Sequence, residues 1–490
     1  MFEGKQIFFT INTAFNLKLR ELTNSEDRHF LLPSPSLDNN AWSSLRYLEQ
    51  GVLGIIKDLA EERKPTWQSE TPQSWKRSTV GILVELAVAM SRKTFSVSHC
   101  GAVDSLRGKV ALFTYADFEE PNWQETRLSR YWSNLAKENH RECCLVGVGE
   151  SNLQRTGLKF GGCLISRARA IRDFLSTYGA RLRLWRKIKS NFEGDRFFAS
   201  HRAEFARGIF GAPGFEAAVM AKNFGKFLDE FKPKSIFLPH ENQLWERVLC
   251  KECDDRSIKV YGAIHTTPRI WDLRFFQMHG FESFQPTNFI DNGPLAREML
   301  QSGGIDEGRI LSGSALRFEH LRDRKFESTH HSSSQNRGRA LLITGADLSS
   351  ALNLSNLAKQ SPEFSSKDWS HRPHPANLSV FAKKSGFPET DLRPFQEIID
   401  DYEVFVSEAI GSLAFELAFL GKVVLIYLPD NQLNFSPMAT LPEFKNYFAN
   451  VSELDVLLAN LPGSVALRSV LNLERKTELW AGALRKATNV

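Results

Sequence analysis

PKSIFLPHENQLWERVLCKECDDRSIKVYGAIH, residues 233 to 265, decides the fold. SIFLPH (235–240) and KVYGAIH (259–265) are short apolar runs, each ending in a histidine. Between them QLWERVLCKECDD sets Leu244, Trp245, Val248 and Leu249 at helical spacing. A strand, a helix and a second strand in this rhythm form one parallel βαβ unit, whose strands are buried on both faces and so read as continuous apolar runs.

The rhythm continues outward. KVALFTY (109–115) and ECCLVGVG (142–149) precede it; RALLITG (339–345), EVFVSEA (403–409) and KVVLIYLP (422–429) follow it. SLAFELAFLG joins the last two as a helix closed by Gly421. Between the two groups lies RDRKFESTHHSSSQNRGR (322–339), polar, serine-rich and without apolar period, which reads as an exposed loop. The chain of 490 residues exceeds what one core supports. The expectation is α/β with two doubly wound, Rossmann-like domains: 1–285, 286–465, and a closing helix in 466–490 that crosses back to the first.

Composition narrows the class. Apolar residues make up 42% and charged residues 24%, as in an ordinary globular protein, and a net charge of +5 gives no general case for a nucleic-acid partner. Six cysteines are scattered along the chain, which fits a reducing cytoplasm better than a disulfide framework. Cys250 and Cys253 form a lone CxxC within a helix pattern, without a second ligand pair for zinc. TVGILVELAVAMS (79–91) is short for a membrane span and carries Glu85, so it reads as a buried helix. There is no GxxxxGK[ST] and no GxGxxG after a strand, against ATPase and dehydrogenase chemistry, and no DxD at a strand end; no metal or cofactor is expected.

In open α/β sheets ligands bind beyond the carboxyl ends of the strands, so the chemistry is sought there. In SHRPHPANLS (370–379), Pro373 and Pro375 fix the backbone around His374, and Arg372 adds a permanent cation, a combination suited to phosphate. The competing role is a proline-rich surface turn. In VFVSEAIGSLAFELAF (404–419) a strand ends near Ser407, and Gly411-Ser412 opens a helix whose free N–H groups attract an anion. Glu416, one turn on, reaches toward a ribose hydroxyl; the alternative is a plain N-cap serine with a solvated glutamate. Gly345 ends another strand of this half.

In the first half, Glu241 follows one strand and precedes a helix, where a carboxylate stays ionised and serves as nucleophile or general base; the alternative is a capping carboxylate. His265 ends the next strand, followed by Trp271, Asp272 and Arg274. A satisfied histidine, a packing indole and a loop ion pair are the structural alternatives. YADFEEP (115–121) and GVGESN (147–152) add Asp117, Glu119 and Glu150 as further acid/base candidates. RARAIRDFLSTYGARLRLWRKIKSNF (167–192) is cationic and interleaved with apolar residues; it is either an ordinary amphipathic helix or one that lies on an anionic membrane surface.

Two resemblances join these motifs. HP followed by a strand, Gly-Ser and an acidic helix, over residues 340 to 430, resembles the nucleotide-binding half of bacterial sialyltransferases, polysialyltransferases and Kdo transferases of the GT-B kind. ENQLWE, GAIHTT, WDLR, FIDNGPLAREML and ALRFEHL, over residues 105 to 430, look like a family of surface carbohydrate biosynthesis proteins. The resemblance implies a metal-independent glycosyltransferase with a GT-B architecture, two Rossmann-like domains about a central cleft. It implies a CMP-activated keto-sugar acid such as Kdo as donor substrate, held by His374 and Ser412, and a glycan or lipid-linked acceptor of lipopolysaccharide, O-antigen or capsule assembly. The protein is then expected in the cytoplasm, with peripheral contact at the inner membrane. Similar HP motifs serve CDP and UDP donors, and a sugar-nucleotide epimerase or hydrolase on the same scaffold is the alternative.

Overall fold

A computed structural model describes residues 13–23, 28–33, 79–92, 95–99, 107–116, 123–133, 135–150, 167–194, 196–267, 269, 273–321, 338–345, 348–374, 377–381, 390–393, 395–409, 412–429, 434, 436–441, 443–463, 471 and 476–488. These fall into two compact units. One is drawn from Met1–His265, Asp272–Glu319 and Asn472–Val490, the other from Thr266–Trp271 and His320–Leu471.

The first unit holds a seven-stranded sheet of β1 (Phe95–His99), β2 (Val110–Tyr115), β3 (Cys143–Glu150), β4 (Ser235–Pro239), β5 (Lys259–Ala263), β6 (Asn288–Ile290) and β7 (Ile310–Leu311), in the order β1-β3-β2-β4-β5-β6-β7. β1 runs antiparallel to β3, and every other pairing is parallel. The first parallel strand, β2, therefore lies between the second and the third. Strand order reverses at the β2/β4 boundary, the topological switch point of a flavodoxin-like sheet.

Both faces of this sheet are covered, which is why β2 and β4 are buried along their whole length. On one face lie helix Ala212–Phe231, with Phe224, Phe227, Leu228 and Phe231, and helix Leu244–Asp254, with Trp245, Val248, Leu249, Cys250 and Cys253. The CxxC is thus an apolar helix face: both thiols are free and buried, and burial pushes both well above the usual thiol range. On the other face Phe237 and Tyr261 stack at 4.7 Å, and helix Lys476–Thr488 packs Trp480 against Trp132.

The second unit holds β8 (Arg339–Ile343), β9 (Asp368–Arg372), β10 (Val404–Glu408), β11 (Val423–Tyr427) and β12 (Tyr447–Phe448), all parallel, in the order β12-β11-β10-β8-β9. The order is again flavodoxin-like, with its switch point between β8 and β10. Helix Ser412–Phe419 ends at Gly421 with φ 75°, a left-handed closure that glycine takes without strain. The chain is therefore α/β, with two doubly wound sheets.

Three expectations are corrected. The boundary at 285/286 moves to Glu319, because β6 and β7 pair onto β5 and extend the first sheet. The segment 167–192 is two helices, Arg167–Ser176 and Tyr178–Asn191. The HP segment is not wholly a turn: Ser370, His371 and Arg372 belong to β9, and the prolines follow its carboxyl end. Among the described residues no helix is long and apolar enough to cross a membrane.

Candidate active site

The carboxyl end of β4, beside the switch point of the first sheet, is organised by a short loop. His240, Glu241, Asn242 and Gln243 lead into helix Leu244–Asp254, and Glu246 stands in its first turn. The Glu246 carboxylate, 1% exposed, reaches back and accepts the N–H groups of Glu241 (2.9 Å) and Asn242 (2.8 Å). The N3 acid thus reaches back past the N-cap, Gln243, and satisfies two donors of the loop that precedes the helix. Its other oxygen accepts the Tyr115 hydroxyl, at the end of β2, at 2.9 Å. Burial first, and then the charges of Glu246 and Glu241, push that phenol well up, so it stays protonated and donates. Asn242 takes φ 55°, a left-handed conformation that asparagine tolerates, and its carbonyl receives Arg247 Nη1 at 2.6 Å.

The loop so fixed presents Glu241 to the end of β5. His265 Nε2 lies 2.9 Å from Glu241 Oε1, Gln243 Nε2 donates to Oε2 at 2.8 Å, and Arg274 Nη1 stands 4.0 Å from Oε1. Burial works against ionisation of Glu241. The hydrogen bond from His265, the Arg274 cation and the Gln243 amide outweigh it and hold the carboxyl well below the usual carboxylate range. His265 is pulled the other way. Burial, with the Arg317 and Arg274 cations, lowers its proton affinity below that of an ordinary imidazole, against the bond and charge of Glu241.

Near neutral pH the pair is therefore a carboxylate and a neutral imidazole. A carboxylate only accepts, so the ring proton is on Nε2 and the Nδ1 lone pair is left over. That Nδ1 is buried and unpartnered. The ring lines an open-mouthed pocket of about 230 Å³ with Tyr131, Trp132, Ser314, Leu316, Arg317 and Trp480, part of it open to solvent. Tyr131 packs edge-on to the imidazole at 4.9 Å between centroids.

The arrangement suits one chemical task best. Both oxygens of Glu241 already accept hydrogen bonds, which lowers their availability as a nucleophile. His265 holds an open lone pair and a carboxylate to steady the imidazolium that forms when it takes a proton, the relation found in hydrolase triads between histidine and its orienting acid.

Other expected residues are distributed as follows. Arg274 is 4% exposed and sits beside Glu241, as described. Trp271, Asp272, Asp117 and Glu119 lie outside the described residues. Glu150 is the last residue of β3, paired with Phe95, so the strand runs one residue further than its apolar run.

In the second unit, Gly345 follows β8 and donates its N–H to Glu408 Oε1 at 2.9 Å. Its carbonyl accepts Asn377 Nδ2 at 2.9 Å. His374 is exposed beyond β9. Arg372 Nη1 donates to the carbonyls of Asp391 (2.9 Å) and Arg393 (2.8 Å), so part of its guanidinium braces a loop. Ser407 is 1% exposed, closed into the sheet by its place in β10. Ser412 opens helix Ser412–Phe419, and Glu416 lies half-buried on it. Pro375 and Gly411 lie outside the described residues.

The sequence reading missed Glu246, Gln243, Tyr115 and Arg317. Glu246 carried a usable signal: it is an acidic residue in the first turn of a helix, where it can reach back to open backbone donors.

No family model matches the chain, and no curated protein matches it. Among solved structures it is similar to UDP-GlcNAc 2-epimerase from Neisseria meningitidis bound to UDP-GlcNAc, at 13% identity and TM-score 0.41, over 56% of this chain and 81% of that one. It is also similar to MurG of Acinetobacter baumannii, at 10% identity and TM-score 0.37, over 57% and 80%. A third similarity is to Arabidopsis thaliana UGT89C1 complexed with UDP, at 12% identity and TM-score 0.35, over 56% and 79%.

Proposed function

We propose that the chain is a glycosyltransferase of the GT-B kind that uses a nucleotide-activated sugar, with His265 as the general base and Glu241 as its orienting acid. The observation that carries this is the open, buried Nδ1 of an imidazole whose Nε2–H is held by an ionised carboxylate. His265 Nδ1 takes the proton of an acceptor hydroxyl as its oxygen bonds to the anomeric carbon. The bond from that carbon to the nucleotide phosphate breaks, and the nucleotide leaves with the electron pair. Positioned base catalysis of this type contributes roughly 10²- to 10⁴-fold.

The finer reading assigns the donor as a CMP-activated keto-sugar acid, its phosphate held in the second unit by His374 and by the helix start at Ser412. The acceptor is a glycan, free or lipid-linked, in surface polysaccharide assembly. A lipid-linked acceptor would favour contact between the exposed basic residues of 167–192, among them Arg169, Arg172, Arg183 and Lys187, and an anionic membrane face.

Nucleotide release from CMP, CDP and UDP sugars, measured with and without glycan acceptors, tests the reading. Acceptor-dependent release that falls at least about 100-fold in His265→Gln supports it; full turnover in that variant overturns it. Release without any acceptor points to an epimerase or hydrolase. Activity should rise with pH through the depressed titration of His265. In Glu241→Gln that acid limb should move to lower pH, because Glu241 is the group that raises His265.

A further inference from the structure

One charge at the edge of this pocket is unused by proton transfer. Arg317, on the short helix Leu316–Leu321, is half-buried and lines the same pocket as His265. It forms no ion pair or hydrogen bond with the described residues; its guanidinium carbon lies 5.9 Å from the centre of the Phe318 ring. Its neighbours in the unit behave otherwise. Arg297 pairs with Asp291 and Glu307, Arg256 with Asp229 and Glu252, and Arg309 bonds the carbonyls of Pro286 and Thr287.

The remaining walls offer little else that is polar. Ser314 Oγ accepts Trp480 Nε1 at 3.0 Å, and Trp132 Nε1 is spent on the Phe113 carbonyl at 2.6 Å. Among the groups lining this pocket, the Arg317 donors have no partner among the described residues, and His265 Nδ1 is unpartnered on a side chain only 5% exposed. A partly desolvated cation beside a buried lone pair is a cost to the folded chain unless an anion completes it. The space beside these groups is narrow and open to solvent at its mouth, so only a compact group could be seated there.

We infer that this pocket seats a small oxyanion, a phosphate or carboxylate of the acceptor, on Arg317, next to the hydroxyl that His265 deprotonates. The substrate class is then an acceptor bearing a hydroxyl beside an acidic group. Arginine offers a planar fork for either anion, and bidentate pairing adds orientation to attraction. An anion there also offsets the positive field that Arg317 exerts on His265, so the base strengthens as the acceptor binds. The neighbouring hydroxyl's role rests on the base assignment above; the anion seat does not.

The test is titration of the full chain with methyl phosphate and, separately, with glucuronate, followed by calorimetry and by histidine NMR. Saturable binding of one of the two identifies the source of the anion. Arg317→Gln should weaken it about tenfold or more, the loss of one charge-assisted contact, while Arg317→Lys keeps part of it. The His265 resonance should shift on binding in the wild type but not in Arg317→Gln. Without ligand, Arg317→Gln should unfold no earlier than the wild type; earlier unfolding, or equal affinity for both anions in wild type and variant, overturns the seat. His265→Gln separates the two claims. If it abolishes turnover while anion binding ignores Arg317, the seat falls and the transferase stands; if binding depends on Arg317 and no donor is consumed, the reverse holds.

Discussion

At the switch point of the first sheet, Glu246 gathers the Tyr115 hydroxyl and the N–H groups of Glu241 and Asn242; at that of the second, Glu408 takes the N–H of Gly345. Both units thus place a buried carboxylate where strand order reverses, 1% and 3% exposed, and use it to hold the backbone that leaves a strand. They differ in what the held backbone displays. In the first unit it carries Glu241 and, through it, a paired imidazole. In the second it is a glycine, and a methyl group there would come within 2.8 Å of Glu408 Oε2. The strand ends of the first unit are furnished with side chains for proton chemistry; those of the second bring bare backbone close, the usual provision for a phosphate or a nucleotide.

The contrast predicts unequal costs. Glu246→Ala strands three donors, two of them in fully buried contacts, and at about 1–3 kcal/mol for each buried group left unsatisfied the first unit should lose about 3 kcal/mol or more. Urea unfolding followed through the tryptophans of that unit reads this directly. Glu408→Ala should cost less in the second unit, about 1–3 kcal/mol. Equal losses would erase the distinction between a knitted loop and a single backbone contact.

Acid separates the units further. His371 is fully buried on β9, with Nε2 3.1 Å from Thr344 Oγ1, and burial together with Lys359 lowers it to about 4. The unfolded chain takes up this proton near pH 6.5 and the folded one only near 4. Stability is therefore complete above about 6.5 and lost as pH falls toward 4, by roughly 3 kcal/mol over the window. His265 acts with the same sign in the first unit, since its folded affinity is also lowered. His371→Gln should flatten the acid dependence of the second unit and leave that of the first unchanged. Denaturant midpoints measured at several pH values would show it.

How much of this was readable beforehand varies with distance along the chain. The strands were legible because two-sided burial leaves continuous apolar runs, and Glu241 and His265 were legible because each stands where such a run stops. That they bond to each other depends on β4 and β5 being adjacent, which the βαβ rhythm implies. The domain boundary was not legible: β6 has three residues and β7 two, too short for periodicity to register. Nor was the fate of Arg181, which sits in an outwardly basic segment. It is buried between the rings of Phe30 and Phe174, at 4.4 and 4.3 Å, and donates to the Ile209 carbonyl at 2.6 Å. Such partners come from distant parts of the sequence, and only packing brings them together. Arg317 escaped for the opposite reason: its meaning lies in having no ion pair or hydrogen bond with a described residue.

A smaller effect sharpens the comparison at Gly345. Alanine there would push its Cβ onto the Glu408 carboxylate, at 2.8 Å from Oε2, and the neighbour able to move is a side chain that also holds the Gly345 N–H. The expected cost is about 1–3 kcal/mol in the second unit, together with weaker nucleotide binding if that backbone approaches the donor. Loss of stability with nucleotide affinity intact would confine Gly345 to packing.

The smallest effect expected is that of Tyr115→Phe, and it joins stability to chemistry most directly. The change deletes one hydroxyl and leaves Glu246 with its two backbone donors, so the fold should lose only about 1 kcal/mol, the net worth of a hydrogen bond. Yet Glu246 Oε1 is released, and the same carboxylate fixes the backbone that carries Glu241. The Glu241–His265 distance then depends on two contacts instead of three. If Tyr115 is a positioning residue, kcat should fall several-fold with KM nearly constant, and the acid limb set by His265 should stay in place, because no charge facing His265 has changed. A shift in that limb would mean that Tyr115 acts on the imidazole electrostatically, and an unchanged kcat would mean that the two backbone bonds alone hold the loop.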